Sequence, residues 1–189
     1  MRPIWYLVGL FALGTLTRRA NPVWLASLLC LLVCAPASSD KWQHPVIQAV
    51  KVEQPPVIDG ILDDPCWQSA STLEGFRYLP KKRPASEPTK VWMCYDSQAC
   101  YFAFYCYDSK PAEIRARERK RNSENFWSDD WVEVNIDPSG AFRGGYCFQL
   151  NPLGAQCESV PGGASEKTEW RGDWRGAAKI VSDGWTAEY

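Results

Sequence analysis

Two neighbouring stretches decide the fold of this chain: TKVWMCY at Thr89–Tyr95 and CYFAFYCY at Cys100–Tyr107. Both are rich in β-branched and aromatic residues, and the segment between them, 96–99, carries turn-forming residues. This pattern predicts a β-hairpin. The second arm is apolar or aromatic on both faces, which is typical of a strand that is covered on both sides.

Further short strands are predicted outward from this hairpin. Val132, Val134 and Ile136 alternate with polar residues, so we expect them to face the core. The side chains expected on the opposite face are Trp131, Glu133, Asn135 and Asp137. Other strands are predicted at 145–150, 155–160, 176–181 and 185–189, with turn residues between them. Short strands at regular spacing indicate an all-β fold, an antiparallel and jelly-roll-like β-sandwich.

One short helix is expected before the hairpin, at 63–70. Asp63 is placed to cap its free amide groups, and Pro65 suits a first turn. Trp67 and Ala70 are three residues apart, so they share one face and are predicted to pack inward.

Composition excludes several classes of protein. The chain has 189 residues, is 46% hydrophobic and has a formal net charge of -1. This is a globular composition, and its near-zero charge gives no reason to expect nucleic acid as a partner. Its one histidine, His44, lies in a polar stretch, so neither a histidine zinc site nor a serine–histidine–acid triad is expected.

The first forty residues have the layout of an export signal. Apolar runs at 4–16 and 23–34 are separated by a basic pair, Arg18 and Arg19, and the second run ends in Ala35-Pro36-Ala37. A basic flank, an apolar core and a small-residue cleavage site are typical of a secretory signal, with a signal anchor or a hairpin of two short helices as the alternatives. We therefore predict a signal peptide at 1–37, a linker or first strand at 38–56 and a globular domain at 57–189. The expected location is secreted, periplasmic or outer-membrane associated.

Whether the cysteines form disulfides depends on the compartment in which the protein folds. Six of them follow the predicted signal, and no two have the C-x-x-C spacing of a zinc ribbon or a thioredoxin-like site. An oxidising compartment permits disulfides. Pairing across the turn at 151–154 would put Cys147 opposite Cys157, and this is the disulfide predicted here.

Several blocks of the chain resemble, in order, family 9 carbohydrate-binding modules. The blocks are IDGILD at 58–63 with Trp67 and Ala70, the hairpin at 91–107, SDDWVEV at 128–134, ID at 136–137, FQLNPLG at 148–154 and GWTAE at 184–188. They cover 57–189. The resemblance implies a β-sandwich that binds polysaccharide without cleaving it, often beside a glycoside hydrolase domain and with structural calcium.

The resemblance also suggests which kind of domain follows this one in the same protein. The Asn-Pro-Leu-Gly block at 151–154 is similar to a subgroup that precedes an outer-membrane-type barrel in exported bacterial proteins. In the family, the last block continues into an Ile-Pro-Phe segment that is absent here, so we expect a chain truncated at its C-terminal end. Two alternative functions follow: part of a glycoside hydrolase, or a periplasmic interaction module of a barrel protein.

A sugar site needs flat aromatic rings and directional polar groups. Trp127, Trp170 and Trp174 lie in polar loop contexts and are candidate platforms, with packing onto the sandwich as the alternative. Trp131 shares a predicted face with polar residues and fits either role. In contrast, Trp67, Trp92 and Trp185 are expected in the core. Including the position that the resemblance favours, Arg117, the candidate sugar-binding residues are Trp127, Trp131, Trp170, Trp174, Arg117, Glu133 and Asn135.

The sequence does not decide the role of two charged stretches. The basic run at 115–121 is either a solvated face, a contact for nucleic acid or acidic lipid, or a set of donors to sugar hydroxyls. The acidic residues Asp129, Asp130 and Asp137 are structural carboxylates, calcium ligands or, with Glu133, catalytic groups, in that order of preference. Since like charges repel, either calcium or the nearby arginines must neutralise them.

Overall fold

The computed structural model describes residues 45–81, 83–140, 145–161 and 166–189, so the predicted signal peptide and His44 lie outside it. This part of the chain holds one α-helix, α1 (Pro65–Ser69), and 3-10 helices at Leu79–Lys81, Pro111–Glu113 and Phe126–Ser128. The strands are β1 (Val50–Lys51), β2 (Ser71–Leu73), β3 (Arg77–Tyr78), β4 (Arg83–Pro84), β5 (Thr89–Tyr95), β6 (Cys100–Tyr107), β7 (Val132–Ile136), β8 (Tyr146–Leu150), β9 (Gln156–Pro161), β10 (Glu166–Lys167), β11 (Ala177–Val181) and β12 (Gly184–Glu188). The all-β class is confirmed. Within the described ranges, no helix is long and apolar enough to cross a membrane.

The hairpin of β5 and β6 lies at the centre of the larger sheet, with the bounds that the sequence predicts. Its strands pair from Thr89 with Cys106 to Tyr95 with Cys100. The turn is closed by Asp96, whose Oδ1 accepts hydrogen bonds from the amides of Gln98 and Ala99 at 2.7 and 2.8 Å. These hydrogen bonds also lower the pKa of Asp96.

The larger sheet has the strand order β1-β5-β6-β12-β11, and β2 also pairs with β5. One prediction is wrong at its edge: β1 runs parallel to β5, so this sheet is not wholly antiparallel. Parallel pairing is available there because residues 52–88, which include α1 and three strands, separate β1 from β5 and form a long crossover.

The second sheet has the order β10-β9-β8-β7, and all its pairs are antiparallel. The main core cluster draws from both large sheets: Val91, Phe102, Phe104, Cys106, Val132, Val134, Leu150, Trp185, Ala187 and Tyr189. A shared core is what two facing sheets would produce, while the jelly-roll topology stays a prediction. Val132 and Val134 face this core as predicted, whereas Ile136 at the strand end is partly exposed.

A smaller cluster forms where α1 packs on the other face of the larger sheet. Trp67 and Ala70 are both buried there, as predicted. The indole Nε1 of Trp67 donates to Oε1 of Glu188 at 2.9 Å, and the amide of Gly60 donates to its Oε2 at 2.8 Å. The helix begins one residue later than a cap at Asp63 would require: Asp64 holds the N-cap position, and its side chain makes no capping hydrogen bond.

The predicted disulfide is wrong in register. Cys147 lies opposite Ser159, and Cys157 lies opposite Gln149, so the two cysteines are offset by two residues. Both are buried thiols in this structure. The prediction assumed a tighter turn, but β9 begins only at Gln156, because Asn151 closes the loop by accepting hydrogen bonds from the amides of Leu153 and Ala155.

Candidate functional site

The structure separates the candidate tryptophans into an exposed one, a buried one and two half-buried ones. Trp127 is 52% exposed and Trp131 is 8% exposed. Trp170 and Trp174 are half-buried. The predicted core residues Trp67 and Trp185 are buried, while Trp92 is half-buried against the α1 cluster. Only Trp127 therefore presents most of an indole to solvent.

Trp127 is held at the surface by two aromatic contacts. It lies in the 3-10 helix Phe126–Ser128, where Phe126 is fully buried and anchors the segment. The Trp127 ring meets Phe126 at 5.4 Å and Trp131 at 5.5 Å between centroids, both at 84°. Edge-to-face contacts of this kind stabilise one orientation of the ring. Trp127 is thus an exposed aromatic side chain whose ring orientation is fixed by Phe126 and Trp131.

A polar row continues from Trp131 along the face of β7 that points away from the core. Glu133 follows two residues later, opposite Gln149 on β8, and Gln149 Nε2 donates to Glu133 Oε2 at 2.7 Å. Glu133 is 6% and Gln149 3% exposed, and Oε1 of Gln149 has no hydrogen-bond partner. Asn135, which is exposed, lies two residues further along the strand. We call Trp127, Trp131, Glu133, Gln149 and Asn135 the outer row.

Trp170 and Trp174 belong to a second aromatic group, on the segment before β11. Trp174 stacks on Tyr189 at 5.3 Å and 11°, and both indoles contact the ring of Phe148. Nε1 of Trp174 also donates to Glu158 at 3.3 Å. These contacts hold Trp174 against the main core, which matches the packing alternative that the sequence left open.

Glu158 lies beneath this group with no exposed surface. Its carboxylate is bound by Arg121, with Nε at 2.9 and 3.1 Å and a terminal nitrogen at 2.7 Å. Arg121 also donates to the carbonyl oxygen of Gly172 at 3.0 Å. One arginine therefore neutralises a buried charge and fixes the segment that carries Trp170 and Trp174.

Asp129 organises the basic run at 115–121 through backbone contacts. Its Oδ2 accepts from the amides of Arg117 and Glu118 at 2.9 and 2.8 Å and from Asn151 Nδ2 at 2.9 Å. The side chain of Arg117 itself is exposed. Backbone amides, rather than guanidinium groups, thus bind Asp129. Glu118 has a lowered pKa, mainly because it accepts hydrogen bonds from Ser123 and the Lys120 amide.

A cleft of about 310 Å³ opens between the ends of the two sheets, which is at the lower end of the range for ligand sites. Its lining includes Asp129 and Asp130 together with Trp131, Tyr107 and Glu87. The cleft is therefore acidic, with aromatic walls. At its base, burial raises the pKa of the Cys106 thiol to about 12, so this cysteine is neutral and unreactive.

The predicted calcium ligands are only partly brought together. Asp129 and Asp130 line the cleft, and Oδ1 of Asp129 is buried without a hydrogen-bond partner. Asp137 is not in that lining; its Oδ1 accepts from the amide and hydroxyl of Ser139. Among the described residues, no group of three or more acidic, histidine or cysteine side chains is placed to hold an ion. The residues fit calcium as a pair of carboxylates, not as a trio.

Two contributors were missed by the sequence analysis. Gln149 was read as part of a family block, but its pairing with Glu133 depends on the β7–β8 register, which no local signal supplies. Arg121 and Glu158 are 37 residues apart, and Glu158 lies in a strand whose pattern gives no sign of a buried charge. The alternation of β9 could only have suggested which face Glu158 occupies.

Comparisons with protein-family models, with curated proteins and with solved structures find no match for this chain. The resemblance to family 9 carbohydrate-binding modules therefore depends on the blocks quoted above, and the function that it implies is treated below as a proposal.

Proposed function

We propose that this protein binds polysaccharide without cleaving it, through the outer row. The observation that carries the proposal is an exposed indole, Trp127, held by aromatic contacts at one end of a row that has an exposed amide, Asn135, at its other end. Trp127 offers the flat ring on which the C–H face of a sugar stacks. Asn135, which is exposed, offers an amide donor and an amide acceptor to sugar hydroxyls, and the buried hydrogen bond between Gln149 and Glu133 holds β8 against β7 between these two exposed groups.

The row has the order that a sugar chain would need. Trp127 contacts Trp131, which directly precedes β7, and Glu133 and Asn135 follow on the same face. The two exposed members, Trp127 and Asn135, are at the ends of the row, and the buried pair lies between them. A ligand that stacks on Trp127 would thus extend along β7 toward Asn135.

Calorimetry or affinity electrophoresis with xylan, cellulose and their oligosaccharides tests this proposal. We expect Trp127→Ala to weaken binding about tenfold or more, since loss of one stacking ring corresponds to roughly 1.4 kcal/mol or more. Asn135→Ala, which removes the exposed amide, should also weaken binding while the buried pair of Glu133 and Gln149 stays in place. No binding to any glycan by well-folded protein would refute the proposal.

The acidic cleft is the second place where a sugar would fit, because Tyr107 and Trp131 are among its walls. Tyr107→Ala is therefore the matched control: Tyr107 is 39% exposed and lies outside the outer row. Loss of binding in Tyr107→Ala but not in Trp127→Ala would move the site to the cleft. Release of reducing sugar by the purified protein would instead support the glycoside hydrolase alternative.

We propose calcium as the ion for the cleft. Asp129 Oδ1 and the carboxylate of Asp130 would be its protein ligands, and carboxylate oxygens are the ligands that calcium prefers. Bound there, the ion would neutralise two adjacent carboxylates and stabilise the loop that Asp129 holds. With only two such ligands, we expect weak binding.

The proposal includes export and a partner domain. The apolar run and small-residue site before Ser38 support a secreted, periplasmic or outer-membrane associated protein. N-terminal sequencing of protein recovered from the producing cells is expected to begin at Ser38. A C-terminal hydrolase or barrel domain would be coded by DNA that follows the codon of Tyr189, and reading that DNA distinguishes an isolated domain from a truncated one.

A further inference from the structure

Cys66 and Cys94 lie in one buried cluster where α1 packs on the larger sheet. The β2–β5 register pairs Ser71 with Met93, so Ala70, one residue earlier, comes opposite Cys94. The amide of Ala70 donates to the carbonyl of Cys66 at 3.0 Å, which closes one turn of α1. Cys66 thereby lies one helical turn from the position opposite Cys94.

The side chains complete this approach. Cys66 and Cys94 belong to the same buried cluster, with 7% and 0% of their surface exposed. Both are buried free thiols. Trp67 and Ala103 pack in the same cluster. The register, the helical turn and the shared cluster therefore place the two thiols side by side in a packed environment.

We propose that Cys66 and Cys94 are a disulfide-forming pair that ties α1 to β5 when the chain folds in the presence of an oxidised dithiol protein or a low-molecular-weight disulfide. The proposal does not depend on carbohydrate binding. It differs from the disulfide expected from sequence, because hairpin spacing pointed to Cys147 and Cys157, and the sheet register does not place those two opposite each other.

The reaction is a balanced thiol–disulfide exchange. The Cys66 thiolate attacks one sulfur of the external disulfide, forms a mixed disulfide and releases the first thiolate. The Cys94 thiolate then attacks the Cys66 sulfur, forms the protein disulfide and releases the second thiolate. Two protons leave the protein thiols, and two electrons reduce the external disulfide to two thiols.

The order of attack follows from the environment. Burial raises the pKa of both thiols, that of Cys94 to about 12. Cys66 is also the more exposed of the two, so it attacks first. Because thiols this buried react slowly in the folded state, the exchange belongs to folding or to a partly opened state.

A bond between them would constrain the unfolded chain. It closes the loop from 66 to 94, and the entropy removed by a loop of this length raises the unfolding midpoint of a domain of this size by roughly 10 °C. In the folded state it would fix α1, whose Trp67 holds Glu188. The same bond therefore stabilises the attachment of β12 to the helix.

The test is to refold the fully reduced protein in a buffer of oxidised and reduced glutathione, block the remaining thiols and map the linked peptides without reduction. Cleavage with chymotrypsin at Tyr95 separates Cys94 from Cys100. We expect the peptide with Cys66 joined to the peptide with Cys94, an intact mass about 2 Da lower before blocking, and a midpoint roughly 10 °C above that of the reduced protein.

Variants give the matched controls. Cys66→Ala and Cys94→Ala should each abolish the linked peptide and the gain in midpoint, whereas Cys100→Ser, at an exposed cysteine, should retain both. If an alanine variant fails to fold, the peptide map of the unsubstituted protein decides alone. Recovery of both Cys66 and Cys94 as blocked thiols, or linkage of either to another cysteine, would overturn the proposal.

Discussion

Arg121→Ala tests whether the buried charge of Glu158 requires its partner. Among the described residues, Arg121 is the one that binds both oxygens of this carboxylate, at 2.7 to 3.1 Å, and the substitution removes it. Glu158 has no exposed surface while Arg121 is in place, so its carboxylate depends on partners within the protein. What remains is Trp174 Nε1 at 3.3 Å and Arg171 Nε at 3.9 Å. We therefore expect that removing the Arg121 side chain, although it reaches the surface, causes a large decrease in the free energy of unfolding.

The size of the loss follows from burial. Removing one partner of a buried ion pair costs about 3–5 kcal/mol. The Arg121 side chain is 37% exposed and Arg171 still lies nearby, so solvent and a second cation offset part of that cost. We expect a decrease of about 2–3 kcal/mol in the free energy of unfolding, which is a large fraction of the stability of a small domain.

Urea unfolding followed by tryptophan fluorescence measures this loss, and a double-mutant cycle identifies its cause. Glu158→Gln removes the charge while it keeps the shape of the side chain. If an uncompensated charge is the cause, Arg121→Ala with Glu158→Gln should be more stable than Arg121→Ala alone, by about 1 kcal/mol or more. A double variant that is no more stable than the single one would refute this reasoning.

Three further predictions concern Glu188, the tryptophans and the cleft. Burial raises the pKa of Glu188, so the protonated carboxyl is favoured in the folded state. The resulting stabilisation is fully present below the ordinary carboxyl pKa of about 4 and is lost as the pH rises through the raised pKa of the folded state. Urea unfolding should therefore show wild-type stability falling relative to Glu188→Gln as the pH rises above about 4. A pH-independent difference would contradict it. Trp174→Ala should cost about 2–4 kcal/mol of stability because it opens a cavity beside Tyr189, whereas the exposed Trp127→Ala should cost less than about 1 kcal/mol; equal losses in urea would show that Trp127 is also structural. Calcium in the millimolar range should raise the melting midpoint by a few degrees, and Asp129→Asn should abolish the rise; identical melts in calcium and EDTA would remove the ion from the cleft.

The local pattern of residues predicted the helix and the strands of five or more residues, which are β5, β6, β7, β8, β9, β11 and β12, but not the shorter strands β2, β3, β4 and β10. The hairpin at Thr89–Tyr95 and Cys100–Tyr107 has the predicted bounds, because alternation, β-branched residues and turn chemistry are short-range properties. The same holds for the inward faces of Val132 and Val134 and for the burial of Trp67. For the candidate site, loop context favoured Trp127 equally with Trp170 and Trp174, since composition cannot tell an exposed indole from one that packs on the core.

Only the tertiary structure decided which of these residues meet. Register is a property of two strands, and it placed Glu133 beside Gln149 and moved Cys147 away from Cys157. A charge can be buried only where a partner that is distant in sequence neutralises it, and Arg121 is that partner for Glu158. The burial of Cys66 and Cys94 in one cluster likewise requires α1 to pack on β5. The free energies that select these pairings arise from packing and desolvation over the whole domain, which no single segment of sequence contains.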